Sequence, residues 1–159
     1  MANIKLKGLG INQFGGMAAY GNVTTLRATL ETNAAGAAVR SNSEAPLGIG
    51  DKVYLQMLPE GFRLEDSQTI VSVALTAAVT GSLGFEYADG VDSAEVPQDA
   101  AYFGAGLVLN ATGRLRTASV KAPVTLAKEA YLVLTIAGAV NAKAGRVDVI
   151  VHGERLGAK

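Results

Sequence analysis

Four stretches of the chain alternate side chains with a period of two, and this alternation limits what it can fold into more than any other feature. Val53, Leu55 and Met57 interleave with Lys52, Tyr54 and Gln56. Val71, Val73 and Leu75 interleave with Ile70, Ser72 and Ala74, and Leu132, Leu134 and Ile136 with Tyr131, Val133 and Thr135. In the last run Val147, Val149 and Val151 interleave with Arg146, Asp148, Ile150 and His152. Successive side chains of a strand point to opposite faces, so each run offers one apolar face to a core. β-Branched residues are frequent in these runs, and Gly, Pro, Asn and Asp bound them. Shorter strands fit residues 83–87 and 124–128. Turn signals stand between the runs: Pro59-Glu60-Gly61, Asp89-Gly90, and the stretches 110–113 and 141–145. About seven short strands spaced in this way predict an all-β chain, an antiparallel β-sandwich or barrel. Val53, Leu55, Val71, Val73, Leu132, Leu134, Val147 and Val149 are its expected interior. The one helix candidate, residues 98–109 behind Pro97, is weakened by Gly104 and Gly106.

The first 45 residues have a different texture. Residues 1–21 are rich in Gly and small side chains, and their apolar residues Ile4, Leu6, Leu9, Ile11 and Phe14 fall at spacings that suit no long element. Such a segment costs much entropy to order and buries little by itself. Residues 23–32 alternate well, with Leu26, Ala28 and Leu30 on one side and Arg27, Thr29 and Glu31 on the other, which predicts a strand. The expected organisation is therefore an extended N-terminal arm with one strand over 1–45 and a β-sandwich over 46–159. Five large apolar side chains are too many for an idle tail and too interrupted by glycine to fold alone. Ile4, Leu6, Leu9, Ile11 and Phe14 are accordingly the candidate assembly-interface residues, with the arm and its strand expected to reach another subunit or a larger surface.

Composition excludes most chemistry. With 159 residues, 49% hydrophobic and 18% charged, the chain is one domain's worth and poorly suited to disorder. It has no cysteine, so disulfides, Cys-ligated zinc, iron–sulfur clusters and thiol catalysis are out of reach. Fourteen basic and fourteen acidic side chains cancel, which argues against a nucleic-acid partner. No apolar run approaches the roughly 18–20 residues that span a bilayer, and no secretory signal is expected at the start. The sequons at Asn22 and Asn110 are then chance patterns.

The remaining chemical candidates are few. His152 is the single histidine, and no Gly-x-Ser-x-Gly turn exists to present a nucleophile to it. It is read as a surface or interface residue near the end of the last strand. Glu86, Asp89, Asp92, Glu95 and Asp99 crowd into fourteen residues, a composition that suits calcium or a basic partner, though not at the spacing of an EF-hand loop. Gly8-Leu9-Gly10 and Gly104-Ala105-Gly106 lack the rest of a dinucleotide fingerprint. No catalytic residue, metal or cofactor is expected. Charge is nonetheless arranged in blocks. Residues 1–59 carry five basic and three acidic side chains, 60–100 one and eight, and 101–159 eight and three. Blocks of this kind orient copies as they meet, or else pair within one molecule.

The residues Gly50-Asp51-Lys52-Val53-Tyr54-Leu55 and Leu58-Pro59-Glu60-Gly61-Phe62-Arg63-Leu64 are followed by the strand over 70–75, by Leu83-Gly84-Phe85-Glu86-Tyr87 and by the two final strands. Residues 50–154 in this layout resemble small virion structural proteins of tailed bacteriophages, of the head decoration or cement type. The resemblance implies a jelly-roll-like sandwich with an extended arm. It also implies a structural rather than enzymatic role, made in the host cytoplasm and carried on the outer surface of the virion. The implied partner is the major capsid protein lattice, bound by a homo-oligomer in which a trimer is favoured. Related phage proteins serve in tails, baseplates and fibres. A carbohydrate-binding β-sandwich is a further alternative, but sugars usually stack on exposed aromatics, and five Tyr, four Phe and no Trp make that platform scarce.

Overall fold

The computed structural model describes residues 2–5 and 23–157. Leu6, Leu9, Ile11 and Phe14 lie outside the described residues. Among the described residues there are ten strands in chain order: β1 (Asn3–Lys5), β2 (Val23–Thr32), β3 (Lys52–Leu58), β4 (Phe62–Val73), β5 (Thr80–Tyr87), β6 (Asp99–Val108), β7 (Gly113–Arg116), β8 (Val124–Thr125), β9 (Ala130–Ala137) and β10 (Gly145–Arg155). They form two sheets, β1-β3-β9-β5-β6 and β2-β10-β4-β7, with β8 on β4. Each of these pairings is antiparallel except the parallel one of β1 with β3. The chain is an antiparallel β-sandwich. The helix candidate at 98–109 is strand β6, as its two glycines foreshadow.

The alternating runs supply the inner faces. Val147, Val149 and Val151 of β10 are fully buried, and Leu26, Ala28 and Leu30 of β2 pack beside them. Leu132, Leu134 and Ile136 of β9 face the same core from the other sheet. The strand Val23–Thr32, grouped with the arm in the sequence, pairs residue for residue with β10 of its own chain, from Val23↔Glu154 to Thr32↔Gly145. Phe85, Tyr87, Tyr102 and Phe103 close one part of the core in edge-to-face contacts, with centroids 4.9–5.8 Å apart. The buried Tyr102 hydroxyl donates to the carbonyls of Leu64 at 3.2 Å and Ala122 at 3.0 Å, tying the two sheets together.

One expected core residue faces outward. Val71 pairs with Val147 and Val73 with Arg146, so Ser72 is an extra residue in the ladder. A bulge of this kind reverses the facing of the residues beyond it. Val73 is consequently 49% exposed, while Val71 is buried. Glu65 is a second extra residue, between Leu64↔Gly153 and Asp66↔His152. It moves the buried set of β4 from Phe62 and Leu64 to Ser67, Thr69 and Val71.

Candidate interaction surface

Among the described residues, a surface rich in charged and aromatic side chains lies on the outer face of the first sheet, at its β1 edge. Ile4 points into the core and is 1% exposed, so alternation turns Asn3 and Lys5 outward. The parallel register sets them beside Lys52 and Tyr54. Across β3, Tyr54 pairs with Val133 of β9, and its ring meets that of the diagonal neighbour Tyr131 with centroids 5.3 Å apart and planes at 79°. The Lys5 ammonium stands 5.8 Å from one ring centroid and 5.9 Å from the other, within reach of a cation–π attraction to both. Glu86 of β5 takes an ion pair from Lys52 and a hydrogen bond from the Tyr54 hydroxyl at 3.2 Å. Burial, and next the Glu86 charge, push the Tyr54 phenol above its usual value. These groups border an open cleft of about 380 Å³ that continues to Tyr87 and Gln98. Two ammonium groups, one carboxylate and hydroxyl-bearing rings suit an extended polypeptide or an acidic side chain. Among the described residues, the lining holds no serine, threonine, cysteine or histidine.

The other sequence candidates stand apart from this cleft. Ile4 is in the chain's own core. The acidic residues of 86–99 do not converge: Glu86 meets Lys52, Asp89 meets Lys128 at 2.7 Å, and Asp99 meets Lys121. Asp92 accepts from the backbone N–H groups of Ser93 and Gln98 at 2.8 and 2.7 Å, which folds the loop onto itself. Among the described residues, no three His, Asp or Glu side chains gather as a metal site. The acidic block therefore meets basic side chains from outside the block within one chain, and Asp66 with Arg116 repeats the pattern. His152 is half-buried on the outer face of β10, and its Nδ1 lies 3.2 Å from the Thr25 hydroxyl. Asp66, its register partner, accepts instead from Arg116 and the Ser67 N–H. The pair does not extend to a triad.

A chain from the capsid of Ralstonia phage GP4 aligns with a TM-score of 0.65, covering 99% of this chain and 100% of that one at 16% identity. The fold is one found in a phage capsid. A chain of the acidic stable capsid structure of Helicobacter pylori bacteriophage KHP30 aligns at 0.47 over 82% and 87%, with 15% identity, too slight a likeness to build on. No family model matches the sequence, and no curated protein does.

Three polar residues escape a reading by periodicity, two of them holding this edge and the third a buried junction of loops elsewhere in the sandwich. Asp51 accepts from the Ala2 N–H and the Gly48 N–H, both at 2.8 Å, and so joins β1 to the loop before β3. Asn42 brackets Lys5 from the other side, accepting from its N–H at 2.8 Å and donating to its carbonyl at 3.1 Å. Asn141, fully buried, donates to the Thr32 hydroxyl and to the carbonyls of Gly36 and Lys143, and accepts from Thr76. All three sit in turns rich in Gly, Ala and Ser, where a polar residue reads as solvated. Tyr54 and Tyr131 were more legible, as aromatic residues on the outward positions of two alternating runs.

Proposed function

We propose that the chain is a structural protein of a phage head, of the decoration or cement type, which binds the outer surface of the major capsid protein lattice as a homo-oligomer, with a trimer favoured. The observation that carries this reading is the end-to-end likeness in fold to a chain of the Ralstonia phage GP4 capsid. The small core-rich sandwich, the internal pairing of its charge blocks and the lack of a catalytic constellation among the described residues suit a building block rather than an enzyme. In this reading Ile4, Leu6, Leu9, Ile11 and Phe14 make the assembly interface. A sugar-binding role is disfavoured by the cleft itself, because Tyr54 and Tyr131 meet edge to face beneath Lys5 instead of offering a flat platform.

The test is addition of purified protein to heads lacking it, followed by co-sedimentation and cryo-electron microscopy. The expected result is saturable binding at symmetry-related sites on the outer shell. Recovery only in tails, baseplates or fibres would overturn the head assignment. A shell built from this chain alone would make it the capsid protein itself.

A further inference from the structure

Strand β1 is attached to the sandwich as a bound peptide is attached to its receptor. Among the described residues its backbone pairs in parallel with β3 and with no other strand. Ile4 fills an apolar socket in the core, while Asp51 grips one end of the segment and Asn42 the other. This is strand addition to a sheet edge, in which main-chain hydrogen bonds hold the peptide and one side chain anchors it. Its backbone ties run to residues 42–54. Residues 6–22 connect it to β2, and a connection of that length spans at most about 55–60 Å when extended. A domain of this size has a diameter of about 40 Å, from a radius of gyration of about 15 Å. The connection is thus long enough for the strand to seat on an adjacent copy.

We propose that in the assembled protein β1 of one copy occupies the β3 edge of a neighbouring copy, with Ile4 in the neighbour's socket. Exchange keeps each contact of the strand and changes only which chain supplies it, which is why swapping an identical element is a low-cost route to oligomers. The receptor edge is complete in every copy, so the exchange can close a ring of copies or join them in pairs. The inference rests on the reading of the chain as an assembly subunit. It gives Ile4 its role in that assembly.

The chain has no cysteine, so introduced thiols report without background. Asn3 and Lys52 are register partners, Asn3 is exposed and the Lys52 side chain is 28% exposed, so both accept substitution. Asn3→Cys and Lys52→Cys proteins are mixed in denaturant, refolded together at high concentration and joined with a short bismaleimide, free and on phage heads. The expected product is a mixed dimer of the two variants, at least ten-fold above that from Asn3→Cys mixed with Ala105→Cys, an exposed position of β6. The double variant is expected to give linked oligomers. A double variant that links only within single chains, with a mixture no better than the control, overturns the proposal. As a second measurement, Ile4→Ala is expected to raise the concentration for self-association at least ten-fold. An unchanged concentration would likewise overturn exchange through this socket. Cross-links report the exchange and co-sedimentation reports head binding, so either reading can fail without the other.

Discussion

At the scale of single residues, the polar groups divide into those that water can replace and those that it cannot. Asn141 belongs to the second kind. Its amide is fully buried and meets Thr32, Gly36, Thr76 and Lys143, joining the turn after β2, the loop after β4 and the loop before β10. Gly36 has φ +85° and presses against the Asn141 backbone, leaving no room for a Cβ. Asn141→Ala would leave buried partners unsatisfied, and a destabilisation of about 1–3 kcal/mol is expected in urea unfolding. Asp148 belongs to the first kind. Burial alone would raise its pKa, but the bidentate Arg146 guanidinium at 3.1 Å and the Thr29 hydroxyl at 2.6 Å outweigh it and hold the carboxyl below its usual value. A carboxyl depressed in the fold adds stability above its unfolded pKa and loses it as pH falls through the folded one. Wild type should therefore lose thermal stability below about pH 4, and Asp148→Asn should lack at pH 7 the increment that the carboxylate supplies and lose less on acidification, so that the two proteins converge at low pH. Melting curves from pH 7 to pH 2 check this, and parallel slopes for the two proteins would count against it.

At the scale of elements, the sequence carries the strands well and the breaks in their regularity poorly. All four period-two runs lie in strands or lead out of one, and seven of the eight expected core residues are buried. The eighth, Val73, fails because a bulge adds a residue at Ser72, and nothing in the apolar pattern marks which strand will carry an extra residue. The sites were less legible still. The cleft depends on the register of β1 against β3, and a three-residue parallel strand has no periodicity to read. Glycines within strands do leave a trace in the sequence, because one mid-strand marks a close approach. Gly153 of β10 sits at the Glu65 bulge, and a Cβ there would strike the Arg63 carbonyl and come within 2.6 Å of the Phe62 ring. Gly153→Ala is expected to destabilise by about 3 kcal/mol, the upper end for overpacking a core, since backbone must shift. Gly113→Ala on β7, with open space around its Cβ position, should stay within about 0.5 kcal/mol. Chemical denaturation of the two variants side by side separates crowding from the general cost of replacing glycine in a strand.

At the scale of the whole molecule, the order of the strands decides how it unfolds. Among the described strands, consecutive ones change sheet between β1 and β2, β2 and β3, β3 and β4, β4 and β5, β6 and β7, β8 and β9, and β9 and β10. Neither sheet is a continuous stretch of sequence, so neither can form its interior alone. Leu134 is fully buried on central strand β9, against Val53 of β3 and Leu83 of β5 in the ladder, and belongs to the core shared with Val147 and Val149 of the opposite sheet. Its loss is felt on both sides of the sandwich. Leu134→Ala should cost about 2–5 kcal/mol, the range for emptying a buried leucine site. Because the sheets share one core, the cost should appear as one displaced transition, as two-state domains of this size show. Far-ultraviolet circular dichroism reports the strands, and tyrosine fluorescence reports side-chain packing around the tyrosines, Tyr87 and Tyr102 in the core among them. In urea the two probes should move together in wild type and variant alike, with unchanged steepness. A variant in which tyrosine fluorescence changes well before the strand signal would mean that the sheets part before they melt, and that the crossing connections do not make the sandwich a single cooperative unit.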